Sequence, residues 1–208
     1  MNRINWFYKA SEMMTSSYLR TKYEISYEGK LPKKGPYLLL PKHQTVDDIP
    51  LEGHFIRRQT GRLAYFVMRG LPFNTILEAL GGIRVARPKD IRSGKVSREE
   101  AREINERATE RVIACLGEGE PVVIHPGGTR RYKKVEEISI KPTSLLGRII
   151  EAYAGTMPFI SFDIQYQGTN IQLKAGEPFY TTNPSELEQH LLKEIARSGL
   201  NKCNNTGT

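Results

Sequence analysis

Pro36-Tyr37-Leu38-Leu39-Leu40-Pro41-Lys42-His43-Gln44-Thr45-Val46-Asp47-Asp48 joins a short apolar run to a histidine and, five positions further, a carboxylate. The run at 37–40, bounded by Pro36 and Pro41, reads as a buried strand. His43 then emerges at a strand end, where sites on α/β sheets gather. A continuous helix would turn residue 48 well away from residue 43, so the two side chains meet only if the chain bends between them. Pro41 upstream and Pro50 downstream allow that bend. A histidine held by a carboxylate at one ring nitrogen takes a proton at the other, which is the general-base half of a hydroxyl-attack mechanism. Asp48 is the expected partner and Asp47 its rival. Asp48 has a second reading as the cap of a helix starting near Pro50, and Thr45 reads either as a cap or as a hydrogen-bond donor to a substrate.

Outward from this stretch, periodicity alternates between strand and helix. Residues 5–20 read as a helix, 23–27 as a strand, 50–58 as a helix, 63–68 as a strand, and 72–80 as a short helix closed by Gly81-Gly82. Ser97-Arg98-Glu99-Glu100 is a capping box, and Ala101, Ile104, Ala108, Val112 and Cys115 keep helical spacing up to Gly117. Strands at 121–124, 158–165 and 170–175 and helices at 143–153 and 185–197 complete the pattern, with a disordered tail at 201–208. The alternation implies an α/β fold, a sheet covered by helices. The division is a helix and lead-in strand at 1–30, the main domain at 31–200 and the tail.

Length and charge narrow the class. The chain has 208 residues, without repeats or a Gly/Ser-rich linker, which suits one domain with a sizeable core. A net charge of +8 favours an anionic partner: nucleic acid, phospholipid headgroups or a phosphorylated cofactor. No apolar segment approaches the roughly 20 residues of a membrane span, and the N-terminus lacks the apolar core of a secretory signal, so a soluble or peripheral protein is expected. Cys115 in a helix and Cys203 in the polar tail suggest a reducing compartment, the cytoplasm.

Two further blocks join the first. Leu80-Gly81-Gly82-Ile83-Arg84-Val85-Ala86-Arg87-Pro88 and Val122-Val123-Ile124-His125-Pro126-Gly127-Gly128-Thr129-Arg130-Arg131 each carry an apolar strand or turn into glycine and arginine. In this order the blocks resemble the glycerolipid acyltransferases, the lysophosphatidic acid and glycerol-3-phosphate acyltransferase family. His43 and Asp48 match its H-x4-D block; Gly82, Ile83, Val85 and Arg87 match the second. Pro126, Gly128, Thr129 and Arg130 match F-P-E-G-T-R, with His125 in place of phenylalanine and Gly127 in place of glutamate. Met157-Pro158-Phe159-Ile160-Ser161-Phe162 matches a looser fourth block, so the resemblance spans about 37–166.

The resemblance implies a mixed, mostly parallel sheet and transfer of an acyl group from acyl-CoA or acyl carrier protein to a hydroxyl of a lysophospholipid or related phosphate-bearing acceptor. His43 would be the general base and Asp48 its orienting carboxylate. Lys42, often asparagine in the family, favours a neutral His43. Arg87 and Arg130 would bind phosphate through paired guanidinium donors, with Gly128 allowing close backbone approach and Thr129 adding a hydroxyl. Pro158 would open an acyl-chain groove. No metal or bound cofactor is required, since the four histidines and the cysteines lack ligand spacing. His125 reads as a packed histidine, and His54 and His190 as helix residues outside any constellation. Gly127 removes a carboxylate that shapes the acceptor pocket, so a lipid-binding member without turnover is the alternative. A basic nucleic-acid-binding domain is the further one, but neither a helix-turn-helix nor an RNA-binding aromatic motif supports it.

Two features point to a membrane surface. Arg130-Arg131-Tyr132-Lys133-Lys134 offers charge to anionic headgroups or to coenzyme A phosphates. The first helix places Ile4, Phe7, Tyr8, Met14 and Tyr18 near one face, beside Trp6, Arg3, Lys9 and Arg20. That stripe suits an amphipathic helix lying on a bilayer or packing on its own domain.

Overall fold

The computed structural model describes residues 4–70, 74–126 and 138–200. In chain order the elements are α1 (Asn5–Lys22), β1 (Glu24–Glu28), β2 (Tyr37–Pro41), α2 (Asp48–Thr60), β3 (Tyr65–Arg69), α3 (Asn74–Ala79), β4 (Gly82–Val85), α4 (Pro88–Arg92), α5 (Arg98–Gly117), β5 (Pro121–Val123), α6 (Leu145–Tyr153), β6 (Phe159–Gln167), β7 (Asn170–Ala175) and α7 (Pro184–Leu200). The seven strands form one sheet in the order β1-β7-β6-β2-β5-β3-β4. All pairs are parallel except β6 with β7. The sheet is therefore α/β, mixed and mostly parallel, as the sequence implied.

Strand β2 sits mid-sheet and is buried along its whole length, which explains its unbroken apolar run: a strand covered on both faces needs no polar alternation. Its side chains divide between two cores. Leu38 and Leu40 pack with α5, α6 and α7, including Val112, Ile149 and Leu187. Tyr37 and Leu39 pack with α1 and α2, including Leu19, Leu51 and Phe55. The chain leaves β2 into α2 on the second face and leaves β5 towards α6 on the first. Neighbouring parallel strands whose exits diverge in this way open a crevice at their C-terminal ends, the usual ligand position in such sheets.

Local chemistry sets the elements. Ser97 caps α5 reciprocally, its Oγ accepting from Glu100 N at 3.1 Å while Glu100 Oε2 accepts from Ser97 N at 2.8 Å. Gly168, at φ 65, turns β6 back into β7 and gives the one antiparallel pair. Three details differ from the sequence reading. Helix α2 begins at Asp48, two residues early; 82–85 is a full edge strand rather than a strand or turn; and α4 follows it directly. The tail at 201–208 and the start of the 72–80 segment fall outside the described residues.

Candidate active site

Between β2 and α2 the chain turns at 45–47, and this bend brings His43 and Asp48 together. His43 Nδ1 lies 2.9 Å from Asp48 Oδ2. Asp48 has no solvent exposure and is surrounded by donors. Its Oδ2 also accepts from the backbone N–H groups of Gln44 and, at 2.8 Å, Thr45. Its Oδ1 accepts from Tyr166 Oη at 2.6 Å and Thr45 Oγ1 at 3.1 Å. Burial opposes the charge on Asp48, but the bonds from His43, Tyr166, Gln44 and Thr45 outweigh it and hold the carboxyl below its ordinary range. Burial, followed by the Asp48 carboxylate it bonds, pushes the Tyr166 phenol up, keeping it a donor. An ionised Asp48 can only accept, so Nδ1 of His43 is the donor in their bond, and in the neutral imidazole that leaves Nε2 as the acceptor.

Asp47, the rival partner, is committed elsewhere: Lys22 Nζ reaches its Oδ2 at 2.7 Å and Tyr23 Oη at 2.6 Å. These two bonds hold its carboxyl low. Thr45 stands at the start of α2 and in the dyad's hydrogen-bond network at once. Its Oγ1 accepts from Asp47 N at 3.1 Å at the helix start while it also bonds the Asp48 carboxylate.

A second histidine joins the first. His125 follows β5, the neighbour of β2, and its ring centroid lies 4.5 Å from that of His43, tilted by 46°. His125 Nε2 lies 3.0 Å from Glu52 Oε1, and Glu52 is fully buried on α2 one turn beyond Asp48. The expectation of a merely packed histidine is corrected: this ring pairs with a buried carboxylate. Glu52 and Tyr166 were missed in the sequence. The i,i+4 spacing of Asp48 and Glu52 was the available signal for one. Tyr166 reaches the site only through the pairing of β6 with β2, which leaves no local trace.

Arg87 follows β4 at the same edge of the sheet, three strand spacings from β2, or about 14 Å. It caps α4, with its Nε 3.4 Å from Asp90 Oδ2. Gly127, Gly128, Thr129, Arg130 and the basic run after them lie outside the described residues. Pro158 is buried at the far end of β6, its carbonyl accepting from Leu38 N at 3.1 Å. His54 stands apart from the site, bonding Ser16 and Tyr27, whereas His190 stacks on Phe179 with centroids 4.2 Å apart and lines the cavity at the end of β2.

A cavity of about 610 Å³ lies at the C-terminal end of β2, lined by Leu40, Pro41, Lys42, Phe162, Lys174 and His190 among others; neither dyad residue lines it, but Lys42 and Pro126 in its wall adjoin His43 and His125 in the chain. Its size suits a substrate of lipid or cofactor dimensions. Among the described residues, no group of three histidine, cysteine, aspartate or glutamate side chains could hold a metal ion.

A family model described as Acyltransferase matches residues 22–161. The chain belongs to the acyltransferase family. The match takes in the His43 and Asp48 block, the Arg87 block and His125. Among solved structures, the acyltransferase resembles the 1-acyl-sn-glycerophosphate (LPA) acyltransferase PlsC from Thermotoga maritima. The TM-score is 0.64 at 19% identity, over 95% of this chain and 80% of that one. That likeness extends the shared fold to nearly the whole acyltransferase chain. No curated protein matches it.

Proposed function

We propose that this acyltransferase moves an acyl group from an acyl thioester, acyl-CoA or acyl carrier protein, to a hydroxyl of a lysophospholipid or related phosphate-bearing acceptor. The observation that carries the reading is the His43–Asp48 pair at 2.9 Å, set at the sheet's crevice in an acyltransferase. The likeness to the 1-acyl-sn-glycerophosphate acyltransferase of Thermotoga maritima supports a glycerophosphate-type acceptor.

Each step follows from the dyad. Nε2 of His43 takes the acceptor hydroxyl's proton as that oxygen attacks the thioester carbonyl. The C–S bond then breaks, the ester forms, and the leaving thiolate takes the proton back from the imidazolium. Asp48 fixes the ring and offsets the imidazolium charge while it exists. Arg87 and Arg130 are proposed to hold the acceptor's phosphate; Pro158, buried at the other end of β6 and not among the cavity's lining residues, has no part in this scheme. No metal or bound cofactor enters this scheme.

The same reading includes a membrane surface. Trp6, Met13, Met14 and Tyr18 of α1 are exposed, as are Ile76 on α3 and Val46 between the two dyad residues. No helix among the described residues is long and apolar enough to cross a membrane. Apolar side chains beside the catalytic loop, on a chain of net charge +8, suit docking on an anionic bilayer.

The test is thiol release from acyl-CoA and acyl carrier protein over a panel of lysolipids. Turnover with a phosphate-bearing acceptor, falling at least ~100-fold in His43→Ala, is expected. Lipid binding without turnover would favour a binding protein, and turnover surviving in His43→Ala would remove His43 as the base.

A further inference from the structure

Asp48 and Glu52 stand one turn apart on α2, and each carboxylate holds one histidine: Asp48 takes His43 Nδ1 at 2.9 Å, and Glu52 takes His125 Nε2 at 3.0 Å. The two rings then meet, 4.5 Å between centroids. Resting on the acyl-transfer reading, we propose that Glu52 is a positioning residue: it fixes the His125 ring, and His125 braces the face of the catalytic His43.

The reason lies in what Glu52 costs. Its side chain is fully buried, and its Oε2 has no hydrogen-bond partner among the described residues. A buried carboxylate with one oxygen unpaired is destabilising, and an apolar side chain of similar size would suit the core around Leu51 and Phe55 better. A stability role does not account for it. What Glu52 supplies is direction. An imidazole bonded at Nε2 cannot rotate about its outer torsion without breaking that bond, so the surface it presents to His43 is fixed. His43 is thereby held on two sides, at Nδ1 by Asp48 and across its face by His125. The remaining freedom, tilt of the ring plane, is the one that would carry Nε2 off the line of the acceptor hydroxyl.

The arrangement also assigns separate duties to the strands and the helix. The C-terminal ends of β2 and β5 deliver the two rings, and the first turns of α2 deliver both carboxylates that orient them. One rigid helix therefore sets both rings at once.

Glu52→Met and Glu52→Gln separate this role from a structural one. In Glu52→Met, kcat should fall about 10-fold or more, as expected when a reacting group is misplaced, with the acceptor KM within about twofold of wild type. Its melting temperature does not separate the two roles, because the orphaned oxygen is gone but His125 Nε2–H loses its acceptor; the kcat against KM split and the rescue by glutamine do. Glu52→Gln keeps an oxygen to accept from Nε2–H and should stay within about threefold of wild-type kcat. His125→Phe keeps a ring but not the bond, and it should lose as much as Glu52→Met, the double variant losing no more than either. A Glu52→Met protein with wild-type kcat, a Gln variant as poor as Met, or additive losses would overturn the proposal. If the wild-type protein acylates no acceptor in the panel, the acyl-transfer reading fails separately. The positioning is then read from the 15N-histidine NMR signals of His43. These should shift or broaden in Glu52→Met and persist in Glu52→Gln, and identical signals in both would overturn it.

Discussion

At the scale of single residues, the site turns on which carboxylate serves His43. Asp48 takes five hydrogen bonds, whereas Asp47 is occupied by Lys22 and Tyr23. Asp48→Asn should therefore cut thiol-release turnover at least ~100-fold, since an amide that donates to His43 reverses its tautomer and takes the lone pair off Nε2. Asp47→Asn should leave turnover near wild type; equal losses would mean that the ring finds Asp47 during catalysis. Tyr166→Phe removes one donor to an ionised group, and the fold should lose about 1.5–3 kcal/mol in a urea titration, with a smaller fall in turnover. The sequence showed His43 and Asp48 because their contact is local, made by one bend between two prolines. Tyr166 and Glu52 were hidden for different reasons. Tyr166 is 118 residues from its partner, joined by strand pairing alone. Glu52 sits in an ordinary helical stretch whose partner, His125, comes from another strand.

At the scale of elements, His54 ties α1, α2 and β1 together. Ser16 Oγ lies 2.7 Å from its Nδ1, Tyr27 Oη lies 2.8 Å from its Nε2, and Ser16 Oγ donates to Glu12 at 2.6 Å. Burial is the main reason its pKa falls below the ordinary 6.5; Glu12 opposes the fall, and Arg20 and Arg58 add to it. The folded state thus binds fewer protons at His54 than the unfolded chain does. Its contribution is complete above about pH 6.5 and is lost as pH falls from there towards the folded value. Melting temperature should decline from pH 7.5 to pH 5, and His54→Gln should flatten that part of the curve. The carboxyls of Asp47, Asp48 and Asp90 are also held low, so their losses begin only below about pH 4, a separate window. A curve flat between pH 7.5 and 5 in the wild type would remove His54 as the acid-sensitive link. The elements it joins were legible where caps and periodicity are local, as at Ser97 and Glu100. They were less so where the partner decides: the four residues of β4 pair with β3 at the sheet's edge, and on sequence alone they read equally as a turn.

At the scale of the whole molecule, α1 explains why the first helix resisted a single reading. The stripe read from sequence splits in three dimensions: Tyr8 is buried with Leu19 against α2 and the sheet, whereas Met14 and Tyr18 point out, 74% and 53% exposed. The outward side gains Trp6, 73% exposed, and Met13. The packing reading of the helix holds for one face; the other is exposed, which leaves the bilayer reading as a proposal. Val46, between His43 and Asp48, and Ile76 on α3 are further exposed apolar side chains. A bilayer meeting these side chains would bring lipid acceptors to the dyad without a spanning helix. Fully burying a side chain such as methionine is worth about 1.5–3 kcal/mol, so replacing Trp6 and Met14 by serine should weaken binding to anionic vesicles at least ~10-fold. Because both side chains are exposed, melting temperature should change little. Turnover should fall on acceptor presented in vesicles and stay near wild type on a short-chain acceptor below its micelle concentration. Added salt should weaken vesicle binding of both proteins through the +8 charge, and the apolar deficit should persist at every salt concentration. Equal vesicle binding by wild type and variant would show that α1 does not meet the membrane.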